Sequence, residues 1–172
     1  MPDSRLLLKS VELEATSVRQ GVVERFAAHG VAAERLMLEG KESFSGFLAV
    51  HHRVDIALDP FPYTGGATSV YALWMGVPVL TLAGTTFLSR QGVGLLMNAG
   101  LPEWIAVDAG DYVARAVSHA SDLHRLASLR SGLREQVLAS PIFDTTRFAD
   151  DFAMALRGMW QAWCRQQQDR AA

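Results

Sequence analysis

Residues 54–84, VDIALDPFPYTGGATSVYALWMGVPVLTLAG, hold the residue types and spacing best suited to chemistry. A short apolar run, Val54 to Leu58, enters Asp59-Pro60-Phe61-Pro62, where proline ends any strand. The small residues Thr64-Gly65-Gly66-Ala67-Thr68-Ser69 then open a helix that stops near Gly76, and Val77 to Leu82 is a second apolar strand. A helix that begins on glycines and hydroxyls presents unpaired amides at its positive end, a setting that favours an anion. The pattern suits a diphosphate. The plain alternative is that Thr68 or Ser69 caps the helix, a position that hydroxyl residues favour in any protein.

Other reactive side chains form no set. His29, His119 and His124 lie in helical segments with no Ser, Cys or Asp partner at useful spacing, so no nucleophile–base pair stands out. His51-His52 is a solvated helix end, because adjacent helical side chains point about 100° apart. Gln91-Gly92-Val93-Gly94 falls inside a helix and is no dinucleotide fingerprint. Arg90 opens that helix; it either supports an anionic ligand or pairs with a carboxylate and locks its loop. Lys9 ends the first strand, where solvation is the ordinary state. Asp55 reads as strand-edge polarity and Asp59 as a turn former.

The elements that would position the glycine turn alternate along the chain. Strands are expected at 5–9, 36–38, 54–58, 77–82 and 104–107. Helices are expected after a capping box at Ser17-Val18-Arg19-Gln20, at 44–51, 67–75 and 88–98, after Asp108 or Asp111 as far as His119, and at 123–138 and 146–164. Such alternation builds a mostly parallel sheet covered by helices on both faces. Ligands of these sheets sit beyond the carboxyl ends of strands, which is where the 59–69 loop begins. The last helix carries Phe148, Phe152, Leu156, Met159, Trp160 and Trp163 along one face, and residues 165–172 read as a frayed tail.

Composition bounds the rest. At 172 residues, 49% hydrophobic and 20% charged, the chain matches one ordinary globular domain over residues 1–164. A net charge of −2 gives no reason to expect nucleic acid or an anionic membrane as partner. One cysteine, Cys164, suits a reducing compartment, and no stretch reads as a signal peptide or a membrane span, so the cytoplasm is expected.

The chain resembles the O-GlcNAc transferase and SPINDLY family of GT-B glycosyltransferases. The match rests on Val54–Asp59, the Gly65 turn, Ala72–Pro78, Thr81–Gly84, Ser89-Arg90, Gly100–Glu103, Ser140-Pro141 and Met159-Trp160. It runs from about Ser4 to Cys164. The resemblance implies a Rossmann-like domain, the UDP-sugar-binding C-terminal half of a GT-B enzyme. It also implies UDP-GlcNAc or a related UDP-sugar as donor, with no other cofactor or metal. Gly65, Gly66, Ala67, Thr68 and Ser69 would meet the diphosphate, Phe47 the base and Tyr71 the ribose, with Arg90 at the cleft mouth.

Two positions depart from the family pattern. A carboxylate is usual at the position of Tyr71; a phenol cannot make the charged two-point grip, a loss of about 1.5–3 kcal/mol. A histidine is usual at Phe47, which still has a face for stacking yet on a helix beside Phe44 and Leu48 reads more readily as core. The family also has a strand–helix unit and a second Rossmann domain before the segment matching residue 5. Either the remaining strands close that gap or a partner completes the sheet. The intact enzyme would glycosylate a protein acceptor with inversion at a Ser/Thr hydroxyl, whereas this chain alone is expected to be inactive. The competing expectation is a non-catalytic remnant or interaction module that retains the fold.

Overall fold

Parallel pairing begins with β1 (Leu6–Lys9) and β2 (Leu36–Glu39), which set Leu6 opposite Leu36 and Lys9 opposite Glu39. The computed structural model describes residue 1 and residues 3–171. Helix α1 (Thr16–Ala27) crosses between the two strands. Gly30, at φ 74°, then turns the chain through the left-handed region that only glycine enters without strain. The capping box expected at Ser17–Gln20 does not form. The N-cap is Ala15, whose carbonyl accepts the Val18 and Arg19 amides, so Ser17 already lies inside the first turn.

The second sheet holds β3 (Ala57–Leu58), β4 (Val79–Leu82) and β5 (Ile105–Ala106) in parallel, with β4 central. Each is shorter than its apolar run. Asp55 turns away to Arg130 at 2.7 Å, and Pro78 has no amide to donate to a neighbour. Around β4 pack α3 (Ala67–Trp74), α4 (Gln91–Asn98) and α5 (Ala109–Ser121), while α6 (Leu123–Leu138) lies on α3 and α5. Leu73, Val77, Leu80, Leu96, Trp104, Leu133 and Val137 are all but fully buried there and form the core. Asp108 caps α5 by accepting the Asp111 amide, one of the two caps expected.

No ladder joins the two sheets among the described residues, so the remaining strands do not close into one. The elements of the β1–α1–β2 unit pack chiefly on one another, and every residue of both strands is only half-buried. Parallel strands are normally covered on both faces. Among the described residues before the second sheet, only Val50 and Leu13 are buried apolar residues.

Helix α2 (Phe44–Val50) is capped by Ser43, whose hydroxyl accepts the Gly46 amide. The last helix, α7 (Thr145–Ala171), touches the body mainly at the turn Pro141–Phe143. Its aromatic stripe is exposed, with Phe148 on Phe152 at 5.8 Å and Trp160 on Trp163 at 5.1 Å between ring centres. The helix continues through residues 165–171, where the sequence suggests fraying, because Arg and Gln are good helix formers. Residue 172 lies outside the described residues. No helix among them is long and apolar enough to cross a membrane.

Candidate functional site

Helix α3 starts at the carboxyl end of the second sheet with no side-chain cap. Its N-cap is Gly66, with φ −110° and ψ −92°, and the first backbone bond of the helix runs from Val70 N–H to the Gly66 carbonyl at 3.2 Å. The capping alternative for Thr68 and Ser69 is therefore not what the chain adopts. Gly65 and Gly66 are half-buried, Ala67 and Thr68 are exposed, and Ser69 is 6% exposed. The corner is thus open to solvent. Its orphan amides and the Thr68 hydroxyl are reachable by an anion.

Sequence alone treats Thr68 and Ser69 alike; the structure separates them. The Ser69 side chain turns inward, where its hydroxyl helps to hold the Asp59 carboxylate ionised. Gly65 is closely surrounded by side-chain oxygens. A Cβ there would lie 2.6 Å from Ser69 Oγ, 2.7 Å from Thr68 Oγ1 and 3.1 Å from Asp59 Oδ1.

Asp59 is the residue that sequence reasoning undervalues. It is 3% exposed at the end of β3. Its Oδ1 accepts the Gly65 amide at 2.6 Å, and its Oδ2 accepts the Thr81 hydroxyl at 2.7 Å. Its carbonyl accepts the Tyr112 hydroxyl at 3.0 Å. Burial lifts the Asp59 carboxyl above the ordinary carboxylate range, opposed by the bonds from Thr81, Gly65 and Ser69. Burial, together with the Asp59 charge, pushes the Tyr112 phenol up to about 12. The available sequence signal was an acid at a strand end before proline, with a hydroxyl at Thr81 on the next strand.

This raised carboxyl predicts an inverted pH slope. Between 3.8 and the higher folded value, the native state binds more protons than the unfolded chain. Stability should therefore fall as pH rises through that window and then level off. Urea midpoints measured across acid pH check this, and Asp59→Asn should remove this component of the slope.

Phe47 and Tyr71, expected near base and ribose, are brought together. Phe47 sits edge-on to Tyr71 at 5.8 Å and to His51 at 5.3 Å, and Phe44 sits edge-on to Tyr71 at 5.5 Å. Both Phe47 and Tyr71 remain half-exposed. Arg90 does not make the carboxylate pair expected as one alternative, with no carboxylate at ion-pair distance among the described residues. It donates to the Gly84 carbonyl at 3.1 Å. A cleft of about 510 Å³ opens elsewhere, between α5 and α6 beside Trp104 and His119. It lies at the amino end of β5, away from the glycine turn.

A parallel α/β domain with an uncapped, glycine-led helix at its strand ends has the architecture in which ligands sit beyond the carboxyl ends of the strands. The match to known proteins narrows it. The model of the family described as Glycosyl transferase family 41 matches residues 12–152, so the chain belongs to that family. It is 34% identical over 166 residues to the probable UDP-N-acetylglucosamine–peptide N-acetylglucosaminyltransferase SPINDLY of Arabidopsis thaliana, covering 96% of this chain and 18% of that protein. To the protein named SEC from the same plant it is 29% identical over 143 residues, 83% of this chain and 15% of that one. Among solved structures, a K341M mutant of the Thermobaculum terrenum O-GlcNAc transferase superposes with a TM-score of 0.89 at 35% identity. That match covers 96% of this chain and 32% of the other. The GT-B-type α/β architecture expected from sequence is thereby shown. The chain spans less than a fifth of the length of these curated relatives.

Proposed function

We propose that this domain binds the diphosphate of a UDP-sugar, UDP-GlcNAc or a close relative, as the donor-side wall of an O-GlcNAc-transferase-like glycosyltransferase. The observation that carries the reading is the solvent-open, uncapped start of α3 at Gly66 in a chain of this family. The amides from Gly66 to Ser69 and the Thr68 hydroxyl would receive the phosphates. The nucleoside would lie toward Phe47 and Tyr71, and Arg90 would stand near the mouth of the cleft that this wall forms with a second domain. Transfer to a protein hydroxyl needs a closed, dry site built from two walls. A second domain, in the same polypeptide or a partner chain, would supply the other.

The competing reading is an interaction module that keeps the fold and has lost the ligand. Tyr71 favours it, since its ring is engaged with Phe44 and Phe47 instead of standing clear.

Calorimetric titration of the chain with UDP separates the two. Saturable binding is expected, weakened about three- to tenfold in Thr68→Val by loss of one hydroxyl contact. Tyr71→Glu should tighten it by restoring a charged acceptor, while removing aromatic contacts worth about 1 kcal/mol of stability. Flat titrations with a folded protein favour the interaction module. Sugar transfer catalysed by the purified chain alone would refute the two-wall requirement.

A further inference from the structure

We propose that Asp59 is a positioning residue for the anion-binding turn, holding it in ligand-ready shape and coupling anion binding to proton uptake. The inference rests on the reading of that turn as a diphosphate site. The carboxylate ties three elements together. One oxygen holds the Gly65 amide at 2.6 Å and the other holds the Thr81 hydroxyl of β4 at 2.7 Å, so the carboxylate joins the end of β3 to the turn and to β4. The backbone of Asp59 is fixed as well, since its amide donates to Leu80 at 2.9 Å and its carbonyl accepts Tyr112 of α5 at 3.0 Å. With Gly65 fixed from behind, the amides that follow it are aimed outward before any ligand arrives. Pre-set donors lose less freedom when they bind.

Two glycines make room for this carboxylate. A Cβ on Gly92 of α4 would come 2.7 Å from Asp59 Oδ2, and one on Gly65 3.1 Å from Oδ1. No Lys, Arg or His lies within ion-pair distance of Asp59 among the described residues. A buried carboxylate held by hydrogen bonds alone is costly to keep charged. The elements packed against it present Thr81 from β4, Ser69 from α3, Gly92 from α4 and Tyr112 from α5. Of these only Tyr112 titrates, and at about 12 it stays protonated through the neutral range.

A diphosphate on the outer side of the turn places negative charge in front of Asp59, with only the Gly65 corner between them. Like charges at that range favour the neutral form of the carboxyl. Binding should therefore draw part of a proton from solvent onto Asp59 within its titration window, and affinity should fall as the carboxyl ionises. Asp59→Asn keeps an acceptor for Gly65, and its amide can donate to a rotated Thr81 hydroxyl, yet it cannot titrate.

The test uses UDP as probe on the full chain, with affinity measured by calorimetry from about pH 4, near the ordinary carboxylate value of 3.8, to about pH 8. The titration of UDP itself is common to both proteins and cancels in their ratio. The expected result is that the affinity of the native chain relative to Asp59→Asn falls about tenfold across the range. That factor equals the gain in proton affinity that the bound anion confers on the carboxyl. In the ligand-free protein, Asp59→Ala should speed exchange of the Gly65 amide, and Asp59→Asn should leave it protected. A ratio constant with pH, while the native chain binds UDP, overturns this inference and leaves the diphosphate site standing. No UDP binding at any pH overturns both.

Discussion

Truncating Trp104 to alanine is expected to destabilise the chain by about 3–5 kcal/mol. Trp104 is 2% exposed at the start of β5, inside the core formed by Leu73, Leu80 and Leu96. One ring face lies parallel to His119, with 3.8 Å between centres and 7° between planes. Removing the indole deletes apolar burial and opens a void, and both effects act in the same direction. The neighbouring cleft between α5 and α6 has a mixed lining, with His119, Asp122, His124 and Arg125 beside Leu126 and Leu129, so water held by its polar side can trim the cost of the void. His119→Ala uncovers only the outer face of the indole and should cost far less. Urea unfolding checks the pair: the midpoint should drop steeply for Trp104→Ala with the slope unchanged. A loss below about 1.5 kcal/mol would mean that the core closes over the gap.

The second large effect has a sign that helix propensity gets wrong. Alanine normally improves on glycine within a helix by about 0.5–1 kcal/mol. At Gly92 of α4 it is expected to destabilise instead, by about 1–3 kcal/mol. The new Cβ would come 2.8 Å from Thr81 Cβ and 2.7 Å from Asp59 Oδ2, and would run into Thr81 Oγ1 as well. Thr81 is fully buried on the central strand, so it has nowhere to retreat. Either α4 moves off β4 or the Asp59–Thr81 bond breaks, and the second outcome also loosens Gly65. Gly94, two residues along the same helix, supplies the control, because a Cβ there would meet nothing within 4 Å. Gly94→Ala should stabilise by the ordinary propensity gain. Thermal unfolding of both variants decides the matter, and a stabilised Gly92→Ala would refute the crowding argument.

Both predictions concern groups that meet across long stretches of sequence, and the same distinction governs what could be read in advance. Local chemistry was legible. The alternation of short apolar runs with helical periodicity located all five strands and the main helices, since the periods of 2 and 3.6 are properties of neighbouring residues. Gly30, Gly76 and Gly100 follow helices and adopt φ near 74°. The glycine-led start of α3 and the Asp108 cap of α5 were likewise written in adjacent positions. Local reasoning failed at Ser17–Gln20, where a sequence that fits a capping box lies two residues too deep because Ala15 already serves as the cap.

By itself, then, the sequence determined the α/β class, the family and the place of the glycine turn, because propensity, turn chemistry and motif spacing act between near neighbours. Only the tertiary structure decided that Ser69 faces inward, that Phe47 meets Tyr71, that the strands stay in two separate sheets, and that Asp59 braces the turn. Thr81 and Tyr112 reach Asp59 across 22 and 53 residues of chain. Such partners are selected by packing of the whole core, and no periodicity within a short window encodes them.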